Sequence, residues 1–172
     1  MNYAAIRNYD IANGEGVRTS LFVSGCTNHC PGCFNPEEQD FSYGEPYTEE
    51  TEQKILSMIA DPVIAGLSIL GGDPLCQNVK GLGQLIALCR KVHRLGKSIW
   101  LWTGFEWEHI FRQHKRSDIT DFQQTLVESC DVVVDGLFVE ALSGRALKWR
   151  GSANQRVINV RKSLGSQIVL YE

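Results

Sequence analysis

Hydrophobic positions fall into short continuous runs and longer periodic runs, in alternation along the chain. The short runs are residues 20–24 (SLFVS), 66–70 (GLSIL), 98–103 (SIWLWT) and 131–135 (DVVVD), with 155–160 (QRVINV) as a fifth. Each is too short for a helix, and the first four are each followed directly by Gly, so each predicts a strand. They read as continuous apolar runs more than as clean alternation, as expected of strands covered on both faces.

The longer runs predict helices. In residues 49–60, Ile55, Met58 and Ile59 recur at helical spacing, and Thr48 is placed to cap the first turn. In residues 79–95, Val79, Leu82, Leu85, Ile86, Cys89, Val92 and Leu95 share one face, and Gly96 closes the helix. A third helix is expected from about 106 to 115, and Thr120 with Gln123 predicts a capping box opening a fourth that runs to Ser129. Strands alternating with helices imply βαβ units and a mostly parallel sheet with flanking helices. A closed eight-fold barrel takes about 250 residues. The chain has 172, so an open, partial (β/α) barrel or an open α/β sheet remains, as a single domain over residues 1–172.

In either architecture ligands bind beyond the carboxyl ends of the strands. The unusual residues follow strand ends: a cysteine cluster after SLFVS, Gly71-Gly72-Asp73-Pro74 after GLSIL, Thr103-Gly104 after SIWLW and Asp135-Gly136 after DVVV. One rim should therefore collect them.

Composition and charge narrow the function class. With 43% hydrophobic and 22% charged residues the chain is globular, not disordered. The net charge of −3 argues against a general nucleic-acid binder. The charge is uneven: residues 1–86 carry 4 basic and 11 acidic residues, and 87–172 carry 13 and 9. The basic excess includes Arg145, Lys148, Arg150, Arg156, Arg161 and Lys162, which form either a solvated surface or a docking face for an acidic partner. No apolar run approaches the roughly 18 residues of a membrane span, and MNYAAIRNYD lacks the apolar stretch of a secretory signal. A cytoplasmic protein with no membrane and no nucleic acid is expected.

Three of the six cysteines, Cys26, Cys30 and Cys33, form C-x3-C-x2-C inside SGCTNHCPGCFNP. Such spacing in a reducing compartment suggests a metal centre more than disulfides. Structural zinc takes four ligands, and electron-transfer clusters take four cysteines. Three thiolates suit a [4Fe–4S] cluster with one iron open to a small molecule. Zinc with His29 as fourth ligand, and a coincidental thiol cluster, are the competing readings. Cys89 and Cys130 are expected to pack in the core, while Cys76, after GGDPL, is placed near the site without an assigned role.

The cysteine motif after the first strand resembles the radical S-adenosylmethionine (SAM) enzymes. NGEGVR at 13–18, LFVSGC, CPGCFNPE, GGDPL at 71–75, WLWTGF at 100–105, VVVDGLF at 132–138 and WRGSANQRVI at 149–158 resemble the glycyl-radical activases. Among these they are most similar to the activators of anaerobic ribonucleoside-triphosphate reductase. Glu15 stands where that family commonly has Pro.

The resemblance implies a partial barrel of the radical SAM type and an oxidoreductase. Such an enzyme reductively cleaves SAM at a [4Fe–4S] cluster held by Cys26, Cys30 and Cys33, and abstracts hydrogen from a glycine of the reductase. The chemistry belongs to cluster and SAM, so no side chain is expected to be catalytic, the four histidines included. Gly32, Cys33 and Phe34 are implied on the adenine side, and Gly71, Gly72 and Asp73 around the methionine ammonium. Thr103 and Asp135 are candidates for the ribose. Arg150 is a candidate for the SAM carboxylate or the partner's glycine loop, and Arg18 is left between a structural and a substrate-side role. The implied partners are the glycine-bearing reductase subunit, an electron donor such as flavodoxin, and a second copy of the chain within a heterotetramer. Activation of another glycyl-radical enzyme, such as pyruvate formate-lyase, is the alternative. An electron-carrier or iron-sensing protein is the rival from another class.

Overall fold

The structure is a computed structural model describing residues 1–111, 117–165 and 167–172. Its centre is an open seven-stranded sheet in the order β3-β1-β2-β4-β5-β6-β7. The strands are β1 (Asn2–Asp10), β2 (Val17–Val23), β3 (Glu45–Pro46), β4 (Ile64–Gly71), β5 (Ser98–Trp102), β6 (Val132–Asp135) and β7 (Arg156–Asn159). β2, β4, β5 and β6 pair in parallel. The flanks are antiparallel: β1 on β2, β3 on β1 and β7 on β6. The sheet is mixed and does not close on itself. β7 runs against its neighbour because a single 3-10 turn at Glu140–Leu142, not a crossover helix, lies between β6 and β7.

The helices are α1 (Glu49–Ile59), α2 (Val79–Arg94), α3 (Trp107–Phe111), α4 (Asp118–Glu128) and α5 (Val160–Ser163). Thr48 caps α1 in a capping box with Thr51, and Gly96, at φ +71°, follows the end of α2 as expected. The cap of α4 is Ser117, not Thr120. The Ser117 hydroxyl accepts from the Thr120 N–H, so Thr120 is the third helical residue and Gln123 lies further inside. The expected helix over 106–115 is seen as α3, and its last part, with His114, lies outside the described residues.

One sheet face packs under α1, α2 and α4. Leu21, Val23, Leu67, Ile69, Ile99, Leu101 and Val133 meet Ile55, Ile59, Leu82, Leu85, Leu126 and Val127 there. Each fully buried aliphatic side chain contributes about 1.5–3 kcal/mol. Cys89 and Cys130 belong to this core. The opposite face carries Arg18, Ser20, Ser68 and Trp100, all buried. Loop 11–16 covers it: Ser68 Oγ donates to the Asn13 carbonyl at 2.6 Å, and Arg18 donates to the Glu15 carbonyl at 3.1 Å. Trp100 packs edge-on against Trp149 and Tyr171.

Arg18 is structural. Its guanidinium donates to Ser68, Ser98 and the carbonyls of Glu15, Leu67 and Ser98, at the middle of β4 and the amino end of β5, and it does not line the cavity described below. Burial pulls its pKa down to about 10.

Candidate metal centre

The carboxyl ends of β2, β4, β5 and β6 meet at one rim, around a cavity of about 470 Å³. Cys26, Cys30, Cys33, Phe34, Gly71, Gly72, Asp73, Thr103, Gly136 and Arg150 all line it. Gly32 lies beside it on the cysteine loop, at φ +69°, where a Cβ would sit 2.7 Å from the Glu140 carboxyl carbon. That backbone conformation favours glycine, whereas the Glu140 carboxylate ends a flexible side chain that can move aside.

The cysteine loop leaves β2 through Gly25 and docks on the turn that leaves β4. The Gly72 N–H donates to the Val23 carbonyl at 2.7 Å, and the Asp73 N–H to the Gly25 carbonyl at 2.9 Å. A Cβ on Gly72 would meet the Glu38 and Gly25 carbonyl oxygens at 2.6 Å, and one on Gly71 would meet Val23 backbone at 2.7 Å. The two glycines therefore let the turn seat against the loop, in addition to leaving their own backbone bare toward the cavity.

Asp73 locks this junction. Its carboxylate, 1% exposed, accepts from Asn28 Nδ2 at 2.8 Å, the Leu75 N–H at 2.9 Å, the Gly104 N–H at 2.9 Å and the Thr103 hydroxyl at 2.9 Å. One side chain thus ties the cysteine loop, the β4 turn and the end of β5. Burial pushes the Asp73 carboxyl up, and those four donors oppose the push. Thr103 spends its hydroxyl proton on Asp73 and accepts from the Phe105 N–H. Asp135 turns away from the cavity, accepting from the Trp107 N–H at 2.8 Å and from Arg156, which also grips Glu108. Arg150 donates to the Gln155 carbonyl at 2.8 Å.

Phe34 is 71% exposed and stands 4.9 Å from Phe138, ring to ring, as an apolar lip. Trp102 donates its indole N–H to the Trp149 carbonyl at 2.7 Å, and the Trp100 ring packs against both Trp102 and Trp149.

Sequence reasoning missed Asn28, whose role depends on how the loop docks. It missed Phe138, whose partnership with Phe34 joins distant segments. It also left open Cys76, whose Sγ lies within 4.8 Å of both Cys26 Sγ and an Asp73 oxygen. In the metal-free chain the interaction between the two neighbouring thiols raises Cys26 and lowers Cys76.

Glu38 adjoins the same turn. Its Oε2 is buried without a hydrogen-bond partner. Desolvation raises its carboxyl to about 7, with Arg7 opposing. A raised carboxyl stabilises least when ionised, so stability is lost as pH rises from about 4.5 through about 7. Glu38→Gln removes that loss. The variant is expected to match the parent near pH 4 and to exceed it by about 1–2 kcal/mol at pH 8, after allowance for solvent screening of a half-buried group. Urea denaturation at the two pH values checks this.

Two of the open readings for the cysteines separate on geometry. Cys30 and Cys33 do not join Cys26 in any group of ligand atoms close enough for one ion, among the described residues. His29 has its Nδ1 at 3.0 Å from Gln39 Oε1. A single zinc held by His29 and the three thiols is poorly served, whereas a cube spreads its thiolates over separate irons. Residues 12–158 match the family model described as a 4Fe-4S single cluster domain. The anaerobic ribonucleoside-triphosphate reductase-activating protein of Salmonella typhimurium is 39% identical over 165 residues, 94% of this chain and 100% of the relative. That of Escherichia coli strain K12 is 40% identical over 164 residues, 94% and 100% of the two chains. That of Enterobacteria phage T4 is 36% identical over 158 residues, 91% and 93%. The chain belongs to the family of anaerobic ribonucleoside-triphosphate reductase-activating proteins.

A [4Fe–4S] cluster is accordingly the cofactor of this activating-protein chain, and its residues fit one. All six cysteines are free thiols. The three of the motif open onto one cavity, and backbone N–H groups already point at two of their sulfurs, Asn28 at Cys26 and Asn35 at Cys33, each at 3.4 Å. Such bonds stabilise thiolates.

Proposed function

We propose that the chain is the glycyl-radical activase of an anaerobic ribonucleoside-triphosphate reductase, using SAM at a [4Fe–4S] cluster on Cys26, Cys30 and Cys33. The observation that carries this is the cavity: three thiols on one loop face a space of about 470 Å³ ringed by four strand ends. An electron carrier has no use for such a space, and a ligand at the open iron needs one.

The cluster, when bound, supplies the electron for reductive cleavage of SAM. The protein's part is to bind, orient and exclude water. Gly71 and Gly72 offer bare backbone for the methionine ammonium. Asp73 acts on that site through position, because its own oxygens are committed to Asn28, Leu75, Thr103 and Gly104. Gly32, Cys33 and Phe34 form the adenine side, with the Phe34 and Phe138 rings keeping solvent from the bound nucleoside. Arg150, at the cavity wall, pairs with the SAM carboxylate or the incoming glycine loop. The open sheet is read as a partial barrel of the radical SAM type and residues 1–172 as one domain. The partner is the glycine-bearing reductase subunit, the reductant a flavodoxin, the assembly a homodimer within a heterotetramer and the compartment the cytoplasm. Among the described residues no helix is long and apolar enough to cross a membrane.

The test is anaerobic. Reduced, reconstituted protein is mixed with SAM and the reductase, 5′-deoxyadenosine is quantified, and the reductase is examined for a glycyl radical by EPR. Both products are expected. Cleavage with a radical on pyruvate formate-lyase but none on the reductase would move the assignment to another activase, and no cleavage at all would remove it.

A further inference from the structure

Cys76 ends the 3-10 turn Pro74–Cys76, outside the C-x3-C-x2-C motif. Its thiol is neither in the core nor free in solvent. Its sulfur accepts from the Thr27 N–H at 3.5 Å and lies 3.3 Å from the Thr27 hydroxyl. Two further groups lie within 4.8 Å of it, Cys26 Sγ and an Asp73 oxygen. The Asp73 oxygens are occupied by four stronger donors. The Thr27 hydroxyl can donate to the Cys76 sulfur as well as accept from it; with Thr27 donating, the Cys26 sulfur is the remaining acceptor within 4.8 Å of the Cys76 S–H.

We propose that Cys76 is a positioning residue that donates its S–H to the Cys26 thiolate and thereby raises the reduction potential of the cluster. This rests on Cys26 being an iron ligand. A ligating Cys26 carries no proton, so only Cys76 of the pair can donate. The reduced cluster carries one more negative charge than the oxidised one, and a donor at a ligating sulfur stabilises that charge. The support is asymmetric. Cys26 receives the Asn28 N–H as well as the thiol, while Cys33 receives the Asn35 N–H.

The test compares Cys76→Ala and Cys76→Ser with the parent after anaerobic reconstitution. Iron per chain is measured, and the midpoint potential is read by an EPR-monitored dithionite titration. Parental iron content is expected in both. The midpoint should shift negative in Cys76→Ala and stay near the parent in Cys76→Ser, whose hydroxyl still donates. An unchanged midpoint in Cys76→Ala, or equal shifts in both variants, overturns the proposal. Loss of iron from Cys76→Ala also overturns it, by making the residue a ligand. Cys26→Ala run in parallel separates the two levels. If it binds no cluster, the ligand assignment stands and the Cys76 result is judged alone; a retained cluster overturns both.

Discussion

Alanine at Cys26, Cys30 or Cys33 is expected to reduce cluster iron and SAM cleavage to background, one substitution at a time. Each thiol is partly buried on the cavity side of the loop, and removing one leaves the cube on only two of its three motif ligands. Cys89→Ala is the control. Its side chain is wholly buried in the helix-side core, so truncation is expected to destabilise the fold by about 1 kcal/mol without touching iron. Anaerobic reconstitution followed by iron and sulfide assay checks both. A variant of the first three that retains iron and cleavage contradicts the ligand assignment. Metal-free stability should change little in those three, which separates ligand loss from misfolding.

Asp73→Ala is expected to act through the fold. The carboxylate satisfies two backbone N–H groups, the Thr103 hydroxyl and the Asn28 amide at a buried junction. Removing it leaves those donors unpaired, at a cost of roughly 3–5 kcal/mol. The expected result is a lower urea midpoint in the metal-free chain, together with a cluster yield well below that of the parent, because Asn28 no longer fixes the cysteine loop. Asp73→Asn keeps the volume but presents amide hydrogens to donors, so it should recover little. A metal-free stability equal to the parent in Asp73→Ala would contradict this account of the junction.

Much of this architecture was legible because it is local. Thr48 and Gly96 act where their spacing to α1 and α2 placed them. The rule that ligands gather at strand ends brought four separated segments to one rim. What escaped depends on long-range contacts. β1 pairs antiparallel with β2 and carries Arg7, Asn8 and partly exposed residues, so neither a continuous apolar run nor a clean alternation marks it. β7 was legible as a strand, but its direction follows from a return loop that its own residues do not encode. Gly71-Gly72 was legible as a turn, yet its tightness is set by backbone at Val23, Gly25 and Glu38. The nearness of Cys76 to Cys26 exists only once that turn is seated. Asp73 looked like a ligand-facing charge, because sequence does not reveal that Thr103 and Asn28 arrive to occupy it.

Mössbauer spectroscopy of anaerobically reconstituted protein, before and after SAM, tests the centre most directly. The account predicts a [4Fe–4S] signal in which one iron changes its parameters when SAM is added while the others do not. Irons that all stay unchanged on adding SAM, or a preparation whose bound metal is zinc, would contradict it.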